Sequence, residues 1–78
     1  MAPPGRDIRV AFGLTVRRRR TAIDMSQERL AELAGLERAY VSALERGKRN
    51  PTLLTQQKIA AALTVPLHRL IAETEGID

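Results

Sequence analysis

Apolar residues recur every three or four positions along most of this chain, which is the spacing of one buried face on an α-helix. No segment alternates strictly between apolar and polar residues, and β-branched or aromatic runs, typical of strands, are missing. A first helix over about residues 7–23 is predicted by a stripe made of Phe12, Val16, Arg19 and Ile23. Asp24 is expected to end this helix, because Asp tolerates the left-handed backbone conformation better than most residues.

Residues 27–46 predict two short helices joined by a tight turn. Ser26 is a favourable N-cap for the second helix, which should reach Ala34, and the third helix covers about residues 37–46. Gly35 falls at the corner, where a residue free to adopt a positive φ lets the chain turn sharply. Apolar or small residues occupy the positions where the two helices should touch, namely Leu30, Ala31, Leu33, Ala34, Leu36, Val41 and Leu44. Two helices joined in this way form a helix-turn-helix, whose second helix can lie in the major groove of DNA.

Two more helices follow this motif. Gly47 is the natural residue to end the third helix, Thr52 can cap a fourth, and Pro66 suits the first turn of a fifth. The inward positions of the fourth helix are expected to be Leu53 or Leu54, the stem of Lys58, Ile59, Ala62 and Leu63. The apolar positions of the fifth helix are Leu67, Leu70 and Ile71.

Length and composition predict one small domain without catalytic machinery. A chain of 78 residues has room for one core, here an all-α five-helix bundle over residues 7–73, between a disordered segment 1–6 and a frayed tail 74–78. The absence of Cys excludes disulfides and thiolate metal sites. His68 has no His or Cys partner, and no nucleophile–base set is evident, so neither an enzyme activity nor a metal or cofactor is expected. The sequence lacks a signal peptide and a long apolar run, which favours a cytoplasmic protein.

The net charge is +4, and the distribution of charged residues along the chain indicates where a polyanionic partner would bind. Residues 1–23 carry six arginines and one aspartate, and residues 46–58 carry four basic residues and no acidic one. Between them, residues 24–45 carry five acidic and two basic residues. Positive charge therefore brackets the helix-turn-helix, and the basic residues next to its second helix are interpreted as contacts to phosphate.

The run SQERLAELAGLERAYVSALERGKRNPTL, followed by KIAAAL and VPLHRLI, resembles the Xre-type, phage-repressor-like helix-turn-helix family. The resemblance covers about residues 12–71 and is carried most specifically by Ser26-Gln27, Leu30-Ala31, Gly35 and Glu45-Arg46-Gly47. Within that family, the stretches FGLTVRRRR and GLERAYVSALERGKRNP resemble the controller proteins of restriction–modification systems, which regulate their own gene and the endonuclease gene. Phage repressors and antitoxins are the alternatives, and a protein-interaction module on the same fold is the alternative of another class.

The resemblance implies a homodimer that binds a double-stranded DNA operator, with two dimers on one operator as a further arrangement. The third helix would read bases through Glu37, Arg38, Ala39 and Ser42, with Arg38 on guanine as the strongest candidate. Contacts to the DNA backbone are expected from Gln27, Tyr40, Arg46, Lys48, Arg49 and Asn50. The dimer interface implied by the C-terminal helices consists of Leu63, Val65, Leu67, Leu70 and Ile71, which would otherwise close the monomer core.

The resemblance also implies roles for charged residues outside the third helix. Arg20 would pair with Glu45 and tie the first helix to the third. The arginine run 17–20 cannot form one basic patch, because successive helical residues are about 100° apart. Arg19 stands where the family usually has an apolar residue, so its guanidinium would reach water or the first helix would be rotated slightly. The acidic residues Glu28 and Glu32 would contact RNA polymerase, unless they form only a solvated face.

Overall fold

The structure, a computed structural model, describes residues 7–77. Over that range the chain forms five helices and no strand: α1 (Ile8–Ala22), α2 (Gln27–Ala34), α3 (Arg38–Glu45), α4 (Leu53–Ala62) and α5 (Leu67–Glu75). This confirms the predicted all-α fold, and the first three helices begin and end within two residues of their predicted bounds. The disorder predicted for residues 1–6 lies outside the described residues. Within residues 7–77, no helix is long and apolar enough to cross a membrane.

The helix ends follow the predicted local chemistry. The Ser26 hydroxyl accepts a hydrogen bond from the backbone N–H of Arg29 at 2.9 Å, so Ser26 caps α2. The Thr52 hydroxyl accepts one from the backbone N–H of Thr55 at 3.1 Å and caps α4 in the same way. Asp24 adopts a φ of 55°, as expected for the residue that turns the chain after α1. Each cap satisfies a backbone donor that the first turn of a helix leaves unpaired.

All five helices, or the residues that end them, contribute to one core. Helix α1 packs on α3 and α5, α2 packs on α3 and α4, and α4 packs on α5. The buried apolar cluster contains Phe12, Val16, Leu30, Ala31, Ala34, Val41, Leu44, Ile59, Ala60, Leu63, Val65 and Leu70. Burial of apolar side chains stabilises a fold by about 25 cal/mol per Å² removed from water, so this cluster holds the helix-turn-helix in place.

Two predicted core positions in the first half of the chain are wrong. Leu33 is 46% exposed, because the buried face of α2 is formed by Leu30, Ala31 and Ala34, and Leu33 lies about 100° from the centre of that face. Ile23 is 53% exposed, because α1 ends at Ala22 and the stripe does not continue beyond the last helical turn.

The predicted inward positions at the start of α4 are also wrong. Leu53 and Leu54 are 71% and 59% exposed, and Lys58 is exposed as well. The buried residues of α4 are Ile59 and Ala60, in its second half, whereas the leucines of its first turn face solvent. Apolar spacing alone does not show how far along a helix the neighbouring helices extend.

Helix α5 is fastened to α1 by polar contacts as well as apolar ones. The guanidinium of Arg19 forms a bidentate ion pair with Glu73, which raises the pKa of Arg19 and lowers that of Glu73. The hydroxyls of Thr15 and Thr74 lie 3.2 Å apart and are both buried. The segment predicted as a frayed tail from residue 74 therefore starts too early, because α5 continues to Glu75. Arg19 thus reaches the carboxylate of Glu73 at the solvent-exposed surface.

Gly13 allows the closest approach between α1 and α3. A Cβ atom added at Gly13 would lie 2.8 Å from the carbonyl oxygen of Glu45 and still closer to that of Leu44. Those oxygens belong to backbone, which has no rotamer by which to move away. The absence of a side chain at this position therefore determines how near the last turn of α3 lies to α1.

Candidate nucleic-acid interface

The turn between α2 and α3 consists of residues 35–37 and is built as predicted. Gly35 has φ 69° and ψ 34°, the left-handed conformation that glycine adopts without steric cost. The backbone N–H of Leu36 donates to the carbonyl oxygen of Ala31 at 2.8 Å, which closes the end of α2. The chain then enters α3 at Arg38. This confirms the helix-turn-helix at the level of backbone geometry.

Helix α3 has one buried face and one exposed face. Val41 and Leu44 are each 1% exposed and anchor the helix in the core. The opposite side carries the residues predicted to read bases: Glu37, Arg38 and Ala39 are exposed, and Ser42 is partly exposed. Glu37 occupies the N-cap position but its side chain makes no capping hydrogen bond, so only its charge acts on the helix dipole.

The loop that follows α3 presents a basic surface. Arg46, Lys48, Arg49 and Asn50 are all exposed, and we refer to residues 46–50 as the basic loop. Its backbone is set by Gly47, whose φ is 76°, and by a 2.9 Å hydrogen bond from the N–H of Lys48 to a carbonyl of α3. The loop residues that are predicted to contact the DNA backbone therefore lie together, beside the C-terminal end of α3.

Tyr40 is half-buried and joins the core on one side of α3. The guanidinium carbon of Arg49 lies 5.8 Å from the centre of the Tyr40 ring, within the range of a cation–π contact. The sequence prediction placed both residues near the DNA backbone but did not find this contact. The nine-residue separation between them has no helical periodicity that would reveal it.

A buried ion pair joins α1 to the end of α3, as the resemblance implied. The Arg20 guanidinium donates to both carboxylate oxygens of Glu45, at 2.6 and 2.9 Å. The two side chains are 11% and 3% exposed. Arg20 also donates to the carbonyl oxygen of Met25 at 2.7 Å. The hydrogen bonds to Glu45 raise the pKa of Arg20, against the opposing effect of burial, so the guanidinium stays charged.

Gln27 belongs to the same network, which sequence reasoning missed. Its side-chain amide donates to a carboxylate oxygen of Glu45 at 3.0 Å, so Glu45 links α1, α2 and α3. This contact uses one of the two amide hydrogens, and the other remains for a further acceptor. Because 18 residues separate the two side chains, only the packed fold brings them together.

The acidic surface of α2 is smaller than the sequence suggested. Glu28 and Glu32 are both exposed, as expected for a face that contacts a partner. Glu32, however, forms an ion pair with Arg29 one turn earlier, on a surface where both side chains are more than half exposed. The i, i+3 spacing of Arg29 and Glu32 in the sequence could have revealed this ion pair. Glu28 is thus the acidic residue of this face that is not paired with Arg29.

The apolar residues assigned to a dimer interface divide into two sets. Leu63, Val65 and Leu70 are 5%, 7% and 0% exposed and lie within the monomer core. Leu67 and Ile71 are only partly buried and pack against the edge of that core. The alternative that these residues close the monomer therefore holds for the first set, and only the second set keeps surface for a partner.

Comparison with known proteins identifies the class to which this arrangement belongs. The helix-turn-helix family model HTH_3 matches residues 16–70, which include both helices of the motif and the buried Arg20–Glu45 pair. The chain belongs to the Xre-type helix-turn-helix family.

Within that family, several of the similar proteins are controllers of restriction–modification systems, and others are regulators of other kinds, such as the immunity repressor of Bacillus phage phi105. Control protein C.MunI from a Mycoplasma species is 39% identical over 70 residues, which span 88% of this chain and 95% of the relative. The controller protein C.AhdI from Aeromonas hydrophila is 47% identical and superposes with a TM-score of 0.78, covering 80% of this chain and 94% of its own. The C.Esp1396I controller, solved as a tetramer on its natural 35-base-pair operator, is 29% identical with a TM-score of 0.77, covering 88% and 96%.

Proposed function

We propose that this protein is a sequence-specific DNA-binding transcriptional regulator, the autoregulatory controller of a restriction–modification system. The observation that carries the proposal is the exposed face of α3, where Arg38, Ala39 and Ser42 lie together on a helix anchored by buried residues. The similarity to control proteins along most of the chain supports the subtype. The protein acts in the cytoplasm, at the nucleoid, without a cofactor and without catalytic activity.

Base reading is assigned to the N-terminal half of α3. Arg38 extends from the first turn and can place two donors on O6 and N7 of a guanine, the commonest specific contact in the major groove. Ala39 offers a methyl group to a thymine methyl, and Ser42 donates to or accepts from a base edge. Glu37 can accept from cytosine N4 or act only on the helix dipole.

Phosphate contacts are assigned to both edges of the motif. The basic loop supplies Arg46, Lys48, Arg49 and Asn50 on one side of the groove. Gln27 supplies its remaining amide hydrogen at the N-terminus of α2 on the other side, where the helix dipole also favours an anion. Each phosphate neutralised by a basic residue steepens the dependence of log K on log salt by about 0.9.

A homodimer would present two recognition helices to one pseudo-palindromic operator. Two-fold symmetry requires half-site centres about 34 Å apart, one turn of DNA. Leu67 and Ile71 are the C-terminal residues that retain surface for this contact, and Ile71 also lines an apolar cleft with Ile8 and Pro51. Two dimers on one operator would match the tetramer described for C.Esp1396I.

The exposed acid Glu28 is proposed to contact RNA polymerase when the protein activates transcription. We expect Glu28→Lys to reduce activated transcription in a reporter assay at full operator occupancy while the bases recognised stay unchanged, because Glu28 lies on α2 and away from the base-reading face. The matched control is Glu32→Lys, whose carboxylate is already paired with Arg29 and should matter less. Activation that survives Glu28→Lys at full operator occupancy would remove this role.

Operator binding is tested by titrating the protein on the DNA upstream of its own gene with excess competitor DNA. We expect competitor-resistant binding that Arg38→Ala weakens by about 1–3 kcal/mol per half-site, with the loss confined to specific base positions. The control is Arg17→Ala, which changes an exposed arginine of α1 outside the motif. Weak binding that salt abolishes and that Arg38→Ala does not change would favour a protein-interaction module instead.

A further inference from the structure

The contact between Tyr40 and Arg49 is the one place within residues 7–77 where the basic loop touches the recognition helix through an aromatic ring. The sequence contains two aromatic residues of the Phe, Trp and Tyr type, and the other, Phe12, is 5% exposed in the core. Tyr40 is therefore the ring available to the loop. The Arg49 guanidinium carbon lies 5.8 Å from its centre, and one guanidinium nitrogen donates to the carbonyl oxygen of Lys48 at 3.3 Å.

We propose that Tyr40 is a positioning residue that holds the Arg49 guanidinium at the edge of α3, ready to bind a DNA backbone phosphate. The inference rests on the proposed function and deepens it, because it names the residue that prepares one phosphate contact. In this role the Tyr40 ring acts through Arg49, in place of the direct contact to the DNA backbone expected of Tyr40 from the sequence, and its hydroxyl is dispensable.

Both partners of the Tyr40–Arg49 contact are attached to segments that other contacts hold in place. The Tyr40 ring is anchored because it packs against the buried core beneath α3. The loop backbone is anchored by the positive φ of Gly47 and by the hydrogen bond from the N–H of Lys48 to Ala43. Between these two anchored parts, the Arg49 guanidinium contacts the ring and donates a hydrogen bond to the carbonyl oxygen of Lys48. A long side chain loses rotamer freedom when it binds, so an arginine held beforehand binds phosphate at a smaller entropic cost.

The ring face rather than the hydroxyl provides the attraction. A guanidinium above an aromatic face is drawn by the negative charge of the π system, and this attraction does not need the phenol oxygen. Among the hydrogen bonds of residues 7–77, none involves the Tyr40 hydroxyl. Phenylalanine at this position therefore preserves the contact, whereas leucine preserves much of the apolar packing and removes the ring.

The test is a double-mutant cycle on the DNA upstream of the gene, measured at several salt concentrations. We expect Tyr40→Leu to weaken binding about two- to five-fold per protomer, the range of an exposed cation–π contact. Tyr40→Phe should bind like the wild type. Arg49→Ala should flatten the salt dependence by about 0.9 for each phosphate that it leaves without its arginine, and adding Tyr40→Leu to it should cost nothing further. Circular dichroism verifies that every variant is folded.

A second measurement uses the free protein, so it does not depend on DNA binding. The δ-methylene protons of Arg49 should show an upfield ring-current shift in the NMR spectrum of the wild type and of Tyr40→Phe. The shift should vanish in Tyr40→Leu. Its absence from the wild type would overturn the proposed contact.

The outcomes separate this inference from the proposed function. If Tyr40→Leu lowers the affinity for DNA by the same factor in the Arg49→Ala protein as in the wild type, Tyr40 acts independently of Arg49 and the inference is wrong. If Tyr40→Phe binds as weakly as Tyr40→Leu, the hydroxyl is what matters and the inference is again wrong, although operator binding stands. If the wild type itself shows no competitor-resistant binding, the proposed function fails first.

Discussion

Glu45→Ala is expected to lower the free energy of unfolding by about 3–5 kcal/mol, because it leaves the largely buried charge of Arg20 without an opposite charge. The substitution also removes the acceptor of the Gln27 amide, so three helices lose their common link. Small domains are stable by only about 5–15 kcal/mol, so this is a large share of the total. Denaturant unfolding at one fixed protein concentration measures it, because a dimer couples stability to concentration.

The neighbouring arginine provides a matched control for that experiment. Arg19 pairs with Glu73 in the same bidentate manner, but the two side chains are 35% and 40% exposed. Glu73→Ala should therefore cost about 1 kcal/mol or less, as solvent screens an exposed pair. Glu45→Gln, which keeps the shape and one acceptor, should fall between the two. Equal losses for Glu45→Ala and Glu73→Ala would show that burial of the Arg20–Glu45 pair does not set its importance.

Gly13→Ala is expected to destabilise the protein by about 2–3 kcal/mol, although alanine is the better helix former by about 1 kcal/mol. The added methyl group would press on the backbone oxygens of Leu44 and Glu45, and the two helices must move apart to admit it. Because α3 carries the base-reading residues, we also expect weaker operator binding at temperatures where the variant is still folded. Thermal unfolding and the operator titration measure the two effects.

Gly76 is the matched control for the substitution at Gly13. It ends α5 with a φ of −83°, and a Cβ there would meet its neighbours at 3.5 Å or more, which is ordinary contact. Gly76→Ala should therefore be neutral or slightly stabilising, since it restricts the unfolded chain without a clash. A Gly13→Ala protein as stable as the wild type would show that the α1–α3 spacing is adaptable.

Helix α1 does not form the proposed DNA-reading surface, but its consecutive arginines Arg19 and Arg20 hold two neighbouring helices in place. Arg19 holds Glu73 of α5, and Arg20 holds Glu45 at the end of α3. Since successive helical residues point about 100° apart, one helix can fasten two neighbours at the same level. The helix proposed to read DNA and the helix proposed to carry part of the dimer surface are thus attached to a single element.

Local chemistry was sufficient to predict the helices and their ends. Ser26 and Thr52 cap helices, and Gly35 and Gly47 adopt positive φ, because each residue's own side chain or lack of one decides its conformation. The exposed face of α3 also followed from periodicity, because Val41 and Leu44 must turn inward. Periodicity failed for Leu33, whose outward position depends on where the neighbouring helices lie.

The sequence by itself determined five helices, a helix-turn-helix and, through resemblance, the residues proposed to meet DNA, because these depend on spacings of a few residues. Only the tertiary structure decided which distant side chains meet. Gln27 reaches Glu45, Arg19 reaches Glu73, and Gly13 touches the backbone of α3. These contacts join residues 18 to 54 positions apart or depend on the distance between two helices. Packing of the whole core sets that distance, and no local pattern encodes it.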